Sequence, residues 1–266
     1  MNDIYVGFDI SKLSFDVALQ RTNGKWYTNK YECSTPSFKK LMKVLPGSSI
    51  CVMEATGPYY LKLAHFLYTN GFKVAVVNPL VIRRFSQMKL LRTKTDKADA
   101  KIICSYGKEQ SPDLWQPKEE AINLIQQKLS TQELFIKQLT AFKNKLEALN
   151  HNVNSDKGCI RMVKQEIRNI ETKIKKLDSE IETMVIENYE NQYKLLKTIP
   201  GIGRKTAATL IAITGGFKNF DNHRKLASYI GICPRIFESG TSVKGKAKIC
   251  KLGMNRMRQL LYICLL

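Results

Sequence analysis

Short apolar runs that alternate with helix-like segments constrain the first part of the chain most strongly. From residue 3 to about residue 108 the sequence alternates between strand and helix patterns. The predicted strands cover residues 4–9, 15–20, 25–33, 50–54 and 74–77, and the predicted helices cover 37–44, 58–69, 79–89 and 95–106. Three early antiparallel strands followed by strand–helix units predict an α/β domain, a mixed sheet with flanking helices, over residues 1–112.

Four carboxylates stand at informative places in this pattern. Asp9 ends the first apolar run, Glu54 ends the fourth, and Asp96 and Asp99 are three residues apart on one face of a predicted helix. Taken singly, each has an ordinary alternative, as a strand end, a helix cap or a solvated side chain. Taken together in a chain of formal net charge +20, they favour a site for divalent metal, with two Mg²⁺ ions held by the four acids.

The charge balance also predicts the partner. Forty-three Lys and Arg residues stand against 23 Asp and Glu, which favours nucleic acid. No apolar run approaches the roughly 20 residues of a membrane span, and the N-terminus lacks the pattern of a secretory signal. The seven cysteines include no Cys-x-x-Cys pair, which disfavours a zinc site or a disulfide framework. These features predict a cytoplasmic protein without a membrane segment.

Residues 113–192 have a different pattern. Apolar residues from Val163 to Met184 repeat at alternating steps of four and three, as in the a/d seam of a coiled coil. A looser repeat runs from Ile122 to Leu146, and the polar stretch 150–158 separates the two. The pattern predicts two long helices, folded into an antiparallel hairpin or paired with another copy. Either a plain core element or an oligomerisation arm fits it.

Residues 193–266 predict a third, mostly helical domain. Its segment Pro200-Gly201-Ile202-Gly203 has the form of a helix-hairpin-helix turn, which favours phosphate binding over an ordinary turn between core helices. The chain ends in the apolar residues 260–266, so we expect the domain to be cut short there. The candidate nucleic-acid-binding residues are Gly201, Gly203, Arg204, Lys205, Lys244, Lys246, Lys248, Lys251 and Arg256.

Several ordered motifs together resemble one family. They are Gly7-Phe8-Asp9-Ile10-Ser11-Lys12, Met53-Glu54-Ala55-Thr56-Gly57, Val77-Asn78-Pro79, Thr95-Asp96-Lys97-Ala98-Asp99-Ala100, Ile199-Pro200-Gly201-Ile202-Gly203, Gly231-Ile232-Cys233-Pro234 and Lys251-Leu252-Gly253-Met254-Asn255-Arg256. The set, which spans nearly the whole chain, is similar to the DEDD insertion-sequence transposases and the related Piv-type DNA invertases. Their N-terminal domain is similar to the RuvC Holliday-junction resolvase, which has an RNase H-like fold.

The resemblance implies a catalytic role for particular residues. Asp9, Glu54, Asp96 and Asp99 would be the metal-binding acids of a magnesium-dependent recombinase. A serine nucleophile in a Ser-Gly context would correspond to Ser239, with Ser242 as a close competitor. Members of the group work as oligomers, so a dimer or tetramer joined through the helical hairpin is expected. Some are guided by a structured RNA, which adds RNA to DNA as an expected partner.

Two other functions fit the residues. A RuvC-like junction nuclease would use the same acids to activate water and would not rejoin strands. A shortened copy would bind nucleic acid without cutting it. A covalent protein–DNA adduct distinguishes the recombinase from both.

Overall fold

The computed structural model describes residues 3–90, 95–218, 220–235, 238–239, 243–244, 248–250 and 252–265. The chain forms two compact units, Met1–Pro117 and Lys118–Leu266. The long helical hairpin and the C-terminal helices lie in the same unit. The division into domains at 1–112, 113–192 and 193–266 stays a prediction.

The first unit is an α/β sandwich. Its strands are β1 (Ile4–Ile10), β2 (Ser14–Gln20), β3 (Trp26–Glu32), β4 (Ser49–Glu54) and β5 (Lys73–Val77), and its helices are α1 (Thr35–Met42), α2 (Tyr60–Thr69), α3 (Pro79–Met88) and α4 (Asp96–Gln110). The predicted elements are all present, although the bounds of three helices differ by two residues or more, with α1 lying two residues earlier than predicted. Helix α2 begins at Tyr60 rather than at Pro58, because Gly57 turns the chain with φ +59°. Helix α4 continues to Gln110, where Ser111 in the left-handed conformation ends it.

The sheet has the strand order β3-β2-β1-β4-β5. Strands β1, β2 and β3 are antiparallel neighbours, whereas β4 and β5 run parallel to β1. This is a mixed sheet with flanking helices, so the α/β fold class predicted from the sequence is confirmed. Strand β1 lies in the centre, which explains why its apolar run is continuous.

The two faces of β1 have different roles because successive side chains point to opposite sides of the sheet. Val6, Phe8 and Ile10 join a buried cluster that also contains side chains of α1 and α2. Tyr5, Gly7 and Asp9 therefore share the other face. On that face a second cluster, which includes Val52 and Ile103, packs the sheet against α3 and α4.

Gly7 sets the distance between β1 and α4. A Cβ atom at this position would lie 2.1 Å from the backbone oxygen of Ala100 and 2.4 Å from the backbone nitrogen of Cys104. The Cys104 thiol also donates a hydrogen bond to the Tyr5 carbonyl at 3.1 Å. The backbone of α4 thus lies directly against β1, and only a glycine at position 7 leaves room for this contact.

The second unit contains the helices α5 (Glu120–His151), α6 (Lys157–Lys197), α7 (Arg204–Thr214), α8 (His223–Ile230) and α9 (Asn255–Cys264). Helices α5 and α6 form an antiparallel hairpin within the chain. Gln132 donates to Asp178 at 2.6 Å, and farther out Lys143 lies 2.9 Å from Glu171. The predicted seam contributes to this contact, since Ile170 and Ile181 are buried.

Four two-residue strands, β6 (Pro234–Arg235), β7 (Glu238–Ser239), β8 (Val243–Lys244) and β9 (Lys248–Ile249), follow α8. Strand β6 pairs with β9 and β7 pairs with β8, both antiparallel. These pairs were not predicted, because two-residue strands are too short to show alternation. In the described part of the chain, no helix combines the length and the apolar character needed to cross a bilayer.

We predict that Gly7→Ala destabilises the first unit by about 3 kcal/mol or more, because the new methyl group would meet helix backbone that cannot rotate away. Chemical denaturation followed by circular dichroism measures the change. Gly47→Ala is the matched control, since nothing lies within 4 Å of a Cβ there. Equal stability of both variants would show that α4 does not depend on the close contact at Gly7.

Candidate active site

One row of charged residues crosses four strands of the sheet. Asp9 on β1 is paired in register with Asp16 on β2, and Asp16 is paired with Lys30 on β3. On the other side of β1, Phe8 pairs with Met53, so Glu54 follows beside Asp9. Residues that pair across neighbouring strands lie on the same face of a sheet. Read from β4 to β3, the row therefore consists of the carboxylates of Glu54, Asp9 and Asp16, followed by the ammonium group of Lys30.

Helix α4 packs across this row and adds two carboxylates. Asp96 is its first residue, and the Thr95 hydroxyl caps the helix by accepting from the Ala98 N–H at 3.2 Å. The Lys30 ammonium lies 3.4 Å from Oδ2 of Asp96 and 3.6 Å from Oδ2 of Asp16. Asp99 follows Asp96 on the same helical face.

The pKa of Asp9 reflects both its burial and the neighbouring carboxylates. It is raised from the ordinary value of 3.8 to about 6, mainly by burial. Because the interaction between charges weakens with distance, the carboxylates that add to the rise must lie near Asp9. They are, in decreasing order of effect, Asp99, Asp96, Glu54 and Asp16. The structure therefore brings the four acids predicted from the sequence into one region.

Asp16 and Lys30 are members of this region that were not predicted from the sequence. Asp16 is only 3% exposed, although it is charged. The available signal was its position in Ser14–Gln20, where an acid interrupts an otherwise apolar strand. The neighbouring charges also raise the pKa of Lys30, with Asp16 as the largest cause. Lys30 thus compensates part of the negative charge at one end of the row.

The carboxylates are suitable ligands for a hard divalent cation, which prefers oxygen. Glu54 is already oriented, since its Oε1 accepts a hydrogen bond from the Thr56 hydroxyl at 2.7 Å. Within the residues described, however, no three Asp, Glu, His or Cys side chains form a ready coordination sphere. The donor set fits a metal ion, while Asp96 is turned towards Lys30. Assembly of a complete metal coordination sphere therefore requires the Asp96 side chain to move away from Lys30.

Comparison with known proteins identifies the family of the chain. Residues 6–152 match the DEDD transposase family of IS110 elements, and residues 193–266 match the transposase family IS116/IS110/IS902. The chain belongs to the IS110 family of DEDD transposases. Its resemblance to DEDD insertion-sequence transposases, first seen in the motifs, is confirmed.

Individual relatives of this IS110-family chain include DNA invertases and transposases. The pilin gene-inverting protein of Moraxella lacunata is 32% identical over 99% of this chain and 82% of its own length. The transposase for insertion sequence element IS1328 of Yersinia enterocolitica is 22% identical over 99% of this chain and 83% of its own. Among solved structures, the Fowlpox virus resolvase in complex with Holliday junction DNA is 15% identical, with a TM-score of 0.28 over 41% of this chain and 99% of that one.

Membership in this family makes the chain an enzyme of DNA recombination, with DNA as its partner. Enzymes of the DEDD group generally use divalent metal ions. The roles of individual residues in the IS110-family chain remain predictions.

The predicted nucleophile lies in the other unit. Ser239 is the second residue of β7 and pairs in register with Val243. Its competitor Ser242, together with Gly240, lies outside the described residues. The four acids belong to Met1–Pro117 and Ser239 belongs to Lys118–Leu266.

The predicted helix-hairpin-helix turn is present between α6 and α7. Gly203 is the N-cap of α7 and has no side chain with which to cap it. Gly201 has φ +82°, and a Cβ atom there would lie 2.0 Å from the Cys264 carbonyl oxygen. Packing against α9 is therefore a sufficient reason for glycine at position 201. The phosphate-binding role of the turn stays a prediction.

The basic residues predicted to bind nucleic acid are in several settings. Arg204 pairs with Glu182 at 2.9 Å, and burial lowers the pKa of Lys205. Arg256, in the first turn of α9, lines a cavity together with Lys205. The remaining predicted residues are Lys244 in β8, Lys248 in β9, and Lys246 and Lys251, which lie outside the described residues.

We predict that Asp9→Asn stabilises the metal-free protein at pH 7. The raised pKa means that the folded state binds the Asp9 proton more tightly than the unfolded state. Wild type therefore loses stability as the pH rises from about 4 to about 6, and the variant does not. The rise in pKa sets an upper limit of about 3 kcal/mol, which solvent screening of a half-buried carboxylate reduces to about 1–2 kcal/mol.

Thermal unfolding in a chelator at several pH values measures this difference. Asp9→Asn should have the higher Tm at pH 7, and the advantage should vanish near pH 4. Asp113→Asn, an exposed acid in the same unit, serves as the control. A lower Tm for Asp9→Asn at pH 7 would mean that burial and carboxylate repulsion do not destabilise the folded protein through Asp9.

We predict the opposite effect for Lys30→Met. Loss of the ammonium leaves Asp16 buried without its counter-ion and Asp96 without its partner. The metal-free Tm should fall at pH 7, and added Mg²⁺ should raise the Tm of this variant more than that of wild type. Lys25→Met, at an exposed lysine just before β3, is the matched control. Identical Mg²⁺ responses of the two variants would exclude a role for Lys30 in the charge balance.

Proposed function

We propose that this chain cuts and rejoins DNA strands through a divalent-metal site formed by Asp9, Glu54, Asp96 and Asp99. The supporting observation is the environment of Asp9, where burial, together with the charges of Asp99, Asp96, Glu54 and Asp16, raises its pKa to about 6. Carboxylates crowded in this way destabilise one another unless a cation is present. The cost in stability is consistent with selection for metal binding at this position.

We assign two Mg²⁺ ions to this site. When bound, they would neutralise the charge that develops on the phosphate and on the departing oxygen. The residues of the chain determine where these ions can sit. The strand ends hold Asp9 and Glu54 in place, and the start of α4 supplies Asp96 and Asp99. Lys30 keeps Asp96 turned aside until a cation competes for the same carboxylate.

Ser239 is proposed as the nucleophile. Its Oγ atom would form a bond to phosphorus while the bond to one strand oxygen breaks, and the departing hydroxyl takes up the proton that the serine gives up. The strand is then held covalently, so a hydroxyl of a second strand can reverse the step and rejoin the DNA without further energy. The support is the resemblance of the Ser239-Gly240 segment to the family motif.

We further propose that the chain works as a dimer or tetramer. The acids and Ser239 lie in separate units, so the serine of one protomer can complete the acid site of another. The hairpin of α5 and α6 would join the protomers. A structured guide RNA is proposed as a second partner, consistent with the net charge of +20. An enzyme with these partners is expected to act in the cytoplasm.

Trapping of a covalent adduct tests the chemistry. Wild type incubated with Mg²⁺ and DNA carrying element ends should give a protein–DNA complex that survives denaturation. Ser239→Ala should abolish the adduct, and Asp9→Asn should lower strand transfer by at least about a hundredfold with DNA binding retained. Ser228→Ala, at an exposed serine of α8, is the control for serine removal.

The same gel separates the alternatives. An adduct that persists in Ser239→Ala but is lost in Ser242→Ala would transfer the role to Ser242. Cleaved strands without any adduct in wild type would indicate a RuvC-like nuclease that uses water. Binding without cleavage would indicate a chain that has kept only its affinity for nucleic acid.

A further inference from the structure

The outer part of helix α6 has a row of basic residues that the metal site does not use. Lys157, Arg161, Lys164 and Arg168 follow one another at steps of four, three and four, and Lys175 comes seven residues later. This spacing places all five on one face of the helix. All five side chains are exposed. From Lys157 to Lys175 the row is about 27 Å long, at 1.5 Å per residue.

The row lies away from the contact between α5 and α6. The apolar seam of the hairpin occupies another side of α6, where Ile170 is buried and Val163, Ile167 and Ile174 are half-buried. The basic face therefore takes no part in holding the hairpin together. Contact with α5 does not explain why lysine and arginine occupy these five positions.

Ion pairing distinguishes this face from three of the four lysines of α5. Lys128, Lys137 and Lys143 on α5 each lie within 4.0 Å of a glutamate. In the described part of the chain, no carboxylate lies that close to any of the five residues of the row, which we call the α6 basic row. The two glutamates between Lys157 and Lys175 have other partners, Glu166 with Asn169 and Glu171 with Lys143, and the charge of Lys175 makes only the smallest contribution to the lowered pKa of Glu171.

Unpaired like charges at such spacing destabilise a helix by a few tenths of a kcal/mol per pair. The α6 basic row contains several such pairs in succession. An arrangement that disfavours the free helix and offers only cations to solvent is typical of a surface that binds a polyanion.

The row also leads to a defined cavity. Its outer four residues line a shallow groove of about 260 Å³. Its inner end, Lys175, lines a cavity of about 400 Å³ together with Arg204 and Lys205 at the start of α7. The two acids in this cavity already have partners, since Glu182 pairs with Arg204 and Asp178 accepts from Gln132. Burial, followed by the charge of Arg256, lowers the pKa of Lys205, so an anion beside it would be stabilising.

We propose that the α6 basic row binds the sugar–phosphate backbone of a nucleic acid and guides it along the hairpin to the start of α7. Duplex DNA carries about one charge per 1.7 Å of its axis, so phosphates are available along the full length of the row. The contacts are to phosphates and carry no sequence information. Duplex DNA is the proposed occupant, and structured RNA, which shares this chemistry, is distinguished from it by the test. The role does not depend on the metal site or on Ser239.

The test compares two triple variants of the 266-residue chain with equal change of charge. Arg161→Gln/Lys164→Gln/Arg168→Gln neutralises the row. Lys137→Gln/Lys143→Gln/Lys173→Gln neutralises three lysines of the hairpin that have partners, Lys173 lying over the ring of Phe135. Circular dichroism checks that both variants stay helical. Binding to duplex DNA, single-stranded DNA and structured RNA of equal length is measured between 50 and 200 mM salt, at about neutral pH.

For the row variant we expect affinity to fall for all sequences of a given probe. The slope of log K against log salt should become shallower by about 2–3 on duplex, at about 0.9 per lost contact, and by somewhat less on single strands. The control variant should stay close to wild type. The probe that loses most affinity identifies the strand that follows the row.

Three results would overturn the proposal. Equal loss in both variants would indicate a general effect of net charge, and no loss in either would indicate a solvated face. Unchanged binding with a changed molar mass in light scattering would mean that the row contacts a second copy of the chain.

Discussion

The contact between the backbone of α4 and strand β1 is the constraint on which the candidate site depends. Only glycine at position 7 allows the helix to approach so closely. Asp9 is two residues farther along the same strand and faces the same side, and Asp99 is one residue before Ala100, whose carbonyl touches Gly7. The separation of strand and helix therefore sets the separation of two of the acids. Burial of Asp9 under the helix is also the main reason for its raised pKa.

Much of the first unit could be predicted because its signals are local. Apolar runs that end in Asp9 and Glu54 indicate strands, and the Thr95 cap indicates the start of α4. The family motifs added the expectation of a RuvC-like fold and the roles of the acids. Asp16 and Lys30 were missed because their importance comes from strand register, which joins residues distant in sequence. An acid inside an apolar strand was visible, but its partners were not.

The second unit shows the same limit in another form. The heptad pattern predicted two long helices, yet it left open whether they pair within the chain, and cross-hairpin contacts such as Gln132–Asp178 show that they do. The role of Gly201 was interpreted through a phosphate, although contact with Cys264 is a sufficient cause for the residue. The two-residue strands β6 to β9 are defined only by their pairing with one another, and they are too short to show an alternating pattern in the sequence. A sequence motif alone does not show whether a residue such as Gly201 is required for packing or for binding a ligand.

The charged row across the sheet has a consequence for how such a site can evolve. Five carboxylates and one ammonium influence one another, so the effect of a substitution depends on which neighbours are present. Substitution of Lys30 alone leaves an excess of negative charge in the row. If position 16 also carries a neutral residue, the same substitution leaves the net charge of the row nearly unchanged. Changes at Asp16 and Lys30 are thus expected to be inherited in pairs among related chains. The two positions form a single unit of variation within the sheet, although 13 residues lie between them in the sequence.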